Sequence, residues 1–460
     1  MAGEHSRREV LGAGAATLTG ALAGCSLLGE GDSAGDTGGG TVTAAPVPTV
    51  ETETPADPEP VGTELTVAHW NQQPDRRAGF SALVEGFQAL RSDVRVRPPE
   101  AGTLPLTPDG IERRVQRGFP PSVWQSEPGR KLRGLVRAGV LFDLEADIWS
   151  ETAVRTAYPR ALEVAGRVIG SHVAVPWYVE RLNNLFYNPA VLDRAGVDVA
   201  SLSGPAALVD ALETIESTTD ATPLAIGTGR PWGIGHLFEA VLAARNGPNR
   251  IDQLGEGNLD PETDAAIAEA LETVAALSRF LPDDAEDIGR LTAAERVIEG
   301  RAAVTVAPDS VVGGPGSNRG FGASDAVRGE HWDLAPVPGT RGIFQFTAQS
   351  FVGPRNNPTP ETTRQWLRYC ASAEAQRRFC ANAGTVPARV DVDPDALPAF
   401  ARRQYRTYRR APDRFPSVTR GLVLPPERHV EFLSALFEFA EDWDAAATAD
   451  RLSDAFSETD

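Results

Sequence analysis

The sequence predicts an α/β protein with a layered fold and a mainly parallel sheet, because strand-like and helix-like segments alternate along its folded part. Residues 64–68 form a short apolar run that is typical of a strand, and apolar side chains at helical spacing follow in residues 80–90. Residues 94–96 and 122–124 again have a strand-like pattern, and a helical segment at 109–117 separates them. This alternation is typical of a sheet covered by helices.

The second half of the chain continues the pattern and becomes mostly helical toward its end. A strand is expected at residues 302–306, after a helix at 292–300 that Gly300 ends. Residues 311–331 are rich in glycine and are expected to form a loop. The other segments are a β-rich stretch at 160–180, helices at 205–219, 235–246, 261–281 and over much of 360–460, and loops at 218–223 and 246–249.

The N-terminal residues have the order of features found in an export signal. The pair Arg7-Arg8 resembles a twin-arginine signal, and a weakly apolar run follows it. The run closes with Leu22-Ala23-Gly24-Cys25, which resembles a prokaryotic lipobox. Residues 1–24 are therefore expected to be a signal peptide, and Cys25 the lipid attachment site of a protein on the outer face of the cell membrane. The alternative is a frayed N-terminus with a chance arginine pair.

Residues 25–62 are expected to form a stalk between the lipid anchor and the folded body. They are rich in Gly, Ser, Thr, Pro, Asp and Glu and contain few large apolar side chains. Such a segment buries too little apolar surface to offset the loss of chain entropy on folding.

The charge balance limits the possible partners. The 460-residue chain carries a formal net charge of −19, which argues against nucleic acid as a ligand. Lys131 is the only lysine, so arginine supplies every other basic side chain. An acidic chain with almost no lysine suggests a salt-adapted or GC-rich prokaryote.

The residues that usually bind metals or carry catalysis show no recognisable pattern. The six histidines are scattered, with no pair at metal-ligand spacing, and no nucleophile elbow or phosphate loop is present. We therefore expect no metal and no cofactor. Cys370 and Cys380 would lie ~15 Å apart on one helix, so two buried thiols are expected rather than a disulfide, although a helix kink could bring them together.

Several segments resemble the extracellular solute-binding proteins of carbohydrate ABC importers. The most specific are residues 337–344 and 350–354, and residues 231–239 resemble the glucose/mannose-type branch. The other matching segments lie in the family's order and comprise residues 123–130, 135–141, 175–188, 372–379 and 385–389.

The resemblance implies a two-lobed clamshell of the periplasmic-binding-protein type with its ligand in the cleft at the hinge. The chain is then expected to cross between lobes near residues 175–178, 301–304 and 345–350. The resulting lobes are discontinuous, with residues 63–176 plus 303–347 in lobe 1 and residues 177–302 plus 348–460 in lobe 2. The expected partners are a mono- or oligosaccharide and the permease subunits of an ABC importer, and the protein itself is expected to be a monomer.

Candidate ligand-binding residues follow from the resemblance and from the chemistry of sugars. Aromatic rings pack on the C–H faces of a sugar, while carboxylates, amides and guanidinium groups bind its hydroxyls. Trp70, preceded by His69, stands where the family often places a stacking aromatic, with a core tryptophan as the alternative. Gln125 matches a hydrogen-bonding position, and Glu127 and Glu180 stand where relatives carry histidine.

The second half of the chain adds further candidates. Trp232 matches a tryptophan of the family's cleft, whereas His236 in the same motif is expected to be structural. Asp309 follows the strand at 302–306 and is expected to be an acceptor in the cleft. Arg420 stands where glucose-type relatives have histidine, and an arginine could hold hydroxyls or an acidic sugar in a bidentate manner.

The function implied is that of a lipid-anchored receptor that delivers a sugar to an importer and is not an enzyme. Two alternatives are an exported carbohydrate-active enzyme and a surface adhesion or signalling lipoprotein. A glycoside hydrolase would need two carboxylates about 5–9.5 Å apart, and no motif in the sequence indicates such a pair.

Overall fold

The computed structural model describes residues 63–97, 108–256, 261–323 and 325–457, which belong to one compact unit. The predicted signal peptide, Cys25 and the stalk lie outside the described residues. Within those ranges, no helix has the length and apolar character needed to cross a membrane.

The larger sheet contains seven strands in the order β12-β6-β11-β3-β1-β2, with β13 paired to β11. Its strands are β1 (Thr63–Ala68), β2 (Val94–Arg97), β3 (Val123–Ser126), β6 (Val175–Arg181), β11 (Ile343–Val352), β12 (Val386–Pro387) and β13 (Asp413–Pro416). Its centre is β11, whose ten residues are all buried.

The smaller sheet contains four strands in the order β10-β7-β9-β8. These are β7 (Asn184–Tyr187), β8 (Thr222–Leu224), β9 (Ala302–Ala307) and β10 (Asp333–Pro336). A separate two-stranded ribbon joins β4 (Arg167–Val168) to β5 (Ser171–His172).

The expectation of a mainly parallel sheet is wrong, because both sheets are mixed. In the larger sheet β1 runs parallel to β2 and β3, as predicted. However, β11 runs antiparallel to both β3 and β6. The chain leaves the larger sheet at the end of β6 and returns to it at β11, which runs antiparallel to β6 and β3 but parallel to β13.

The helices agree well with the periodic segments of the sequence. In the first half they are α1 (Pro74–Leu90), α2 (Pro108–Gln116), α3 (Arg133–Arg137), α4 (Thr152–Arg155), α5 (Arg160–Ala165), α6 (Pro189–Ala195), α7 (Pro205–Thr218) and α8 (Pro231–Asn246). In the second half they are α9 (Asn249–Glu256), α10 (Pro261–Ser278), α11 (Arg290–Ile298), α12 (Pro360–Cys370), α13 (Ala373–Ala383), α14 (Ala399–Arg410), α15 (Pro426–Asp442) and α16 (Ala445–Ser457). Gly300 adopts a φ of 69° just after α11, as expected of the residue that stops a helix.

Each sheet has its own hydrophobic core, and the two cores define two lobes. The larger sheet packs against α1 and α12–α14 through residues such as Trp177, Trp366 and Phe379. The smaller sheet packs against α7, α8, α10, α15 and α16. The predicted α/β clamshell is therefore the observed fold class.

The sheet partners of β9 and β11 differ from the predicted division of the chain. Residues 303–347 were assigned to lobe 1, but β9 pairs with β7 and β8 in the smaller sheet. Residues 348–460 were assigned to lobe 2, but β11 and β13 belong to the larger sheet. The chain passes between the sheets at residues 182–183 and 337–342, and at residues 417–425 it leaves β13 for α15, which packs in the smaller-sheet lobe.

Buried polar side chains tie these three connections together. Asn183, on the first connection, donates from Nδ2 to Thr340 Oγ1 (2.9 Å) on the second connection and to the carbonyl of Ile343 (3.1 Å) at the start of β11. Its Oδ1 accepts from Arg181 Nε at 2.9 Å. The first two connections are therefore held to each other by side chains as well as by the backbone.

Glu239 on α8 links the smaller-sheet lobe to the remaining connection. Its Oε1 accepts from the Ser417 hydroxyl (3.0 Å) and from the backbone N–H (2.6 Å) and hydroxyl of Thr419. Its Oε2 accepts from Gln345 Nε2 on β11 at 3.0 Å. Burial raises the pKa of Glu239 to about 7, although these hydrogen bonds oppose the shift.

We expect Glu239→Gln to remove a pH dependence of stability. The pKa of Glu239 is raised from 4.5 to about 7 in the folded protein. Stability therefore falls as the pH rises from 4.5 through 7, by on the order of 3 kcal/mol. The glutamine variant resembles the protonated form, and its new amide can donate to Gln345 Oε1 once the Gln345 amide turns over, because Nε2 of Gln345 faces Glu239 in the wild type. Denaturant unfolding between pH 5 and 8 measures the difference.

The control for this prediction is Glu431→Gln, which changes an exposed carboxyl on α15 and should leave the pH profile as it is. An unchanged pH dependence in Glu239→Gln would show that Glu239 does not titrate in this range.

Candidate functional site

A cavity of about 620 Å³ lies between the two lobes, at the edge where the connections cross. The larger-sheet lobe contributes Trp70, Arg76, Tyr178 and Glu180 to its wall. The smaller-sheet lobe contributes Trp232, His236, Arg290 and Arg319, and Arg420 enters from the third connection. Its size is within the range of small-molecule sites.

The wall of the larger-sheet lobe is built on a chain of hydrogen-bonded amides. Trp70 and Asn71 follow the end of β1, where the ligand crevice of an α/β sheet is expected to open. Asn71 Nδ2 donates to Gln125 Oε1 (2.8 Å), and Gln125 Nε2 donates to Gln349 Oε1 (2.8 Å). Gln349 Nε2 donates in turn to Glu127 Oε1 at 3.3 Å. These bonds fix the side chains that support the wall.

The structure places Gln125 and Glu127 behind the cavity wall rather than on it. Gln125 is 1% exposed and Glu127 is 7% exposed. Both contact Gln349, which does line the cavity. They support the lining residues, and their own oxygens are occupied by protein donors.

Glu180 lies on the wall and forms an ion pair with Arg76 of α1. The Arg76 guanidinium also lies 4.9 Å from the ring centroid of Tyr178. Burial opposes the charge of Arg76, but Glu180 and Tyr178 outweigh it and raise its pKa above the ordinary value. Arg76 therefore stays charged, and its ion pair holds the Glu180 side chain at the cavity.

The opposite wall carries Trp232 at the start of α8. The ring is 37% exposed and lies 5.0 Å from the guanidinium carbon of Arg420. Arg420 Nη2 forms an ion pair with Glu127 (2.9 Å), which also pairs with Lys131 (2.7 Å). Burial alone would raise the pKa of Glu127, but Lys131 and Arg420 lower it to about 2.

His236 lies one helical turn after Trp232 and lines the cavity, although it was expected to have only a structural role. Burial lowers its pKa to about 3, and the charges of Arg420 and Arg290 act in the same direction. The imidazole is therefore neutral, and its Nε2 is buried with no partner among the residues described.

Besides Gln125 and Glu127, two further predicted site residues, Asp309 and His69, are absent from the cavity wall. Asp309 is 4% exposed and accepts hydrogen bonds from the Arg181 backbone (2.9 Å), Asn184 (3.0 Å) and Gln404 (2.7 Å). Burial raises its pKa to about 7. The expectation that Asp309 is a cleft acceptor is thus corrected, because its carboxyl faces the lobe connections.

The second of these residues, His69, stacks on Phe80 with ring centroids 3.7 Å apart, and its Nδ1 accepts from the Asn71 backbone at 3.2 Å. Burial lowers its pKa to about 4. His69 therefore orients the turn that carries Trp70 and Asn71 and does not contact the cavity.

The described residues contain no group of three or more His, Cys, Asp or Glu side chains placed to hold a metal ion. Cys370 and Cys380 are both buried and unbridged, as expected. Burial raises the pKa of Cys380 to about 12, so this thiol stays protonated.

Sequence reasoning missed several lining residues, notably Arg76, Tyr178, Arg290 and Arg319. Tyr178 lies in a segment that was used only as a family signature. Arg290 starts α11 and Arg319 lies in the glycine-rich stretch, so neither has a local pattern that indicates a cleft.

Comparisons with known proteins agree with this geometry. Residues 70–377 match the family model "Bacterial extracellular solute-binding protein". The xylose/arabinose-binding protein XacG of Haloferax volcanii is 34% identical over 404 residues, which cover 86% of this chain and 85% of the relative.

Solved structures share the fold at low sequence identity. The bacterial solute receptor AcbH, described as specific for β-D-galactopyranose, superimposes with a TM-score of 0.69 at 14% identity and covers 85% of this chain and 98% of its own. A chitin oligosaccharide binding protein gives the same TM-score of 0.69 at 14% identity, with coverages of 86% and 98%.

We expect Glu127→Gln to destabilise the protein at neutral pH. The pKa of Glu127 is lowered from 4.5 to about 2, so its contribution is present above pH 4.5 and is lost as the pH falls toward 2. Removing the carboxylate leaves Lys131 and Arg420 without their shared partner, at a cost of about 2–4 kcal/mol at pH 7. Denaturant unfolding at pH 7 and pH 3 checks both parts.

The matched control is Glu269→Gln, which breaks an exposed ion pair with Arg245. It should change the free energy of unfolding by less than about 1 kcal/mol. If the two substitutions changed the free energy of unfolding equally, the burial of Glu127 would add nothing to its contribution to stability.

Proposed function

Because the chain belongs to the family of bacterial extracellular solute-binding proteins, we propose that it captures a sugar outside the cell and delivers it to the permease of an ABC importer. The family assignment rests on a model match that spans residues 70–377 and on a relative that is 34% identical over 86% of the chain. That relative is named as a xylose/arabinose-binding protein.

The observation that carries this proposal is a cavity with aromatic surfaces on both sides. Trp70 and Tyr178 line it from one lobe and Trp232 from the other. Flat rings of this kind pack on the apolar faces of a pyranose or furanose. Between them lie the carboxylate of Glu180 and the guanidinium of Arg420, which suit pairs of hydroxyls.

The proposed roles follow the position of each residue. Trp70 and Trp232 would stack on the sugar, and Glu180 and Arg420 would bind its hydroxyls. Gln125 and Glu127 would act through Gln349 and Arg420, whose orientation they fix by hydrogen bonds. The lobes would then close on the ligand by bending at the three connections, which is the usual motion of two-lobed binding proteins.

A sugar-binding screen tests this function directly. Thermal unfolding is measured with pentoses, hexoses and short oligosaccharides, and a true ligand at a hundredfold excess over Kd should stabilise the protein by ~2.7 kcal/mol. The ligand must be recovered unchanged. Stabilisation by peptides or metal ions alone would contradict the proposal, and product formation would favour the exported enzyme instead.

We expect Trp232→Ala to weaken binding of the identified sugar by more than tenfold, since it removes one of the stacking surfaces. Trp232→Phe keeps a ring and should restore much of the affinity. Phe119→Ala is the control, because Phe119 is 76% exposed and lies outside the cavity. Isothermal titration calorimetry measures all three, and unchanged affinity in Trp232→Ala would remove this residue from the site.

We also propose that the protein is tethered to the outer face of the cell membrane by lipid on Cys25. The support is the order of the arginine pair, the weakly apolar run and Leu22-Ala23-Gly24-Cys25 in the sequence. The prediction is that Cys25→Ser releases the protein into the medium while wild type stays with membranes. Mass spectrometry of the purified N-terminus would identify the lipid, and an unmodified cysteine on membrane-bound wild type would contradict this anchor.

A further inference from the structure

The cavity wall is basic although the chain as a whole is acidic. The sequence contains 44 basic and 63 acidic residues. On the cavity wall the balance is reversed, since five arginines face three carboxylates: Arg76, Arg230, Arg290, Arg319 and Arg420 against Glu180, Glu286 and Asp287. This local reversal indicates a ligand whose charge differs from that of a neutral pentose or hexose.

Only part of this positive charge is neutralised by the protein. Arg76 pairs with Glu180. Arg420 forms an ion pair with Glu127, but the same carboxylate also forms an ion pair with Lys131. The side chains of Arg290 and Arg319 form no ion pair and no side-chain hydrogen bond with the residues that the structure describes. Their charges therefore remain available to a ligand in the cleft.

The arginines are also close enough to repel one another. Partial desolvation lowers the pKa of Arg290, and the charges of Arg319, Arg420 and Arg76 act in the same direction, against Glu180. Arg420 and Arg290 likewise contribute to the lowered pKa of His236. An anion between these groups would relieve this repulsion, whereas a neutral ligand would leave it in place.

Unpartnered polar atoms surround the same space. Four side chains of the cavity wall have a buried polar atom with no hydrogen-bond partner in the described ranges: Arg76 Nη1, His236 Nε2, Thr347 Oγ1 and Arg420 Nε. Both guanidinium atoms can only donate, so they call for acceptor atoms. A ligand that brings acceptor oxygens, from hydroxyls or from an acidic group, would satisfy these donors.

We propose that the ligand is an anionic sugar, whose carboxylate or phosphate lies against Arg290 and Arg319 while its ring packs on Trp232. This inference rests on the proposed function and specifies the class of sugar. Guanidinium groups bind either anion in a bidentate manner, so the two sources share one recognition chemistry. The Arg76–Glu180 pair would then remain for the neutral hydroxyls.

The test compares sugars that differ only in the acidic group. Isothermal titration calorimetry with the full chain uses glucuronate, galacturonate and glucose 6-phosphate beside glucose, galactose and xylose. We expect at least one anionic sugar to bind tenfold or more tightly than its neutral counterpart, and the carboxylate and phosphate arms identify the anion. Neutral sugars that bind as tightly as every anionic one would overturn the inference and leave the proposed function standing. If none of the six sugars bound, with peptides or metal ions stabilising the protein instead, the proposed function itself would fail.

Arg290→Gln tests whether the preference for anionic sugars depends on the arginines of the cavity wall. The variant should lose tenfold or more in affinity for the anionic sugar and change less than threefold for the neutral one. Arg410→Gln is the control, because it removes the same charge from an exposed arginine outside the cavity. Thermal unfolding without ligand checks that both variants are folded. An unchanged anion preference in Arg290→Gln and in Arg319→Gln would overturn the assignment.

Discussion

The two lobes depend on one buried cation, Arg181, at the end of β6. Its Nη2 donates to the carbonyl of Ile343 (3.1 Å) and its Nε to Asn183 Oδ1 (2.9 Å), so one side chain joins the first connection to the start of β11, where the second connection ends. Its backbone N–H donates to Asp309 at 2.9 Å. Burial lowers the pKa of Arg181 to about 10, and Asp309 opposes the shift. A buried arginine is stable only if its N–H groups have hydrogen-bond acceptors. The need to keep these acceptors in place fixes the position at which the chain crosses between the lobes.

The cleft follows from this arrangement. Because the connections meet at one edge, the end of β1 faces the start of α8 across a gap, and Trp70 and Trp232 come from lobes with separate cores. Asp309 belongs to the connections rather than to the cleft, since its carboxyl is engaged by Arg181, Asn184 and Gln404. Arg181, Asn183 and Glu239, which join the connections by hydrogen bonds, do not line the cavity, whereas Leu182 and Arg420 lie on connections and line it as well.

Local patterns were sufficient to predict the elements and the family, but not the partners of each strand. The run before Trp70 and the helical spacing after it were found correctly as β1 and α1. Ala302–Ala307 was found as a strand but placed in the wrong lobe, because a strand buried on both faces carries no pattern that identifies its neighbours. Asp309 was misjudged since its partners Arg181 and Gln404 lie 128 and 95 residues away in the chain. Arg290 and Arg319 can be recognised as site residues only from the folded structure, in which they line the same cavity.

The acidic surface and the basic cleft can coexist in one protein because their charges act on a ligand over different distances. Salt screens exposed charges over a Debye length of about 8 Å at physiological ionic strength, so the charges of the outer surface keep the protein hydrated but act on a ligand only at short range. Inside the cleft, Arg420 lies against Trp232 and Arg76 against Tyr178, where the surrounding protein reduces screening. Recognition there depends on direct contact rather than on long-range attraction. This explains why the net charge of −19 does not describe the ligand, and why the identity of the sugar has to be sought in the few side chains that touch it.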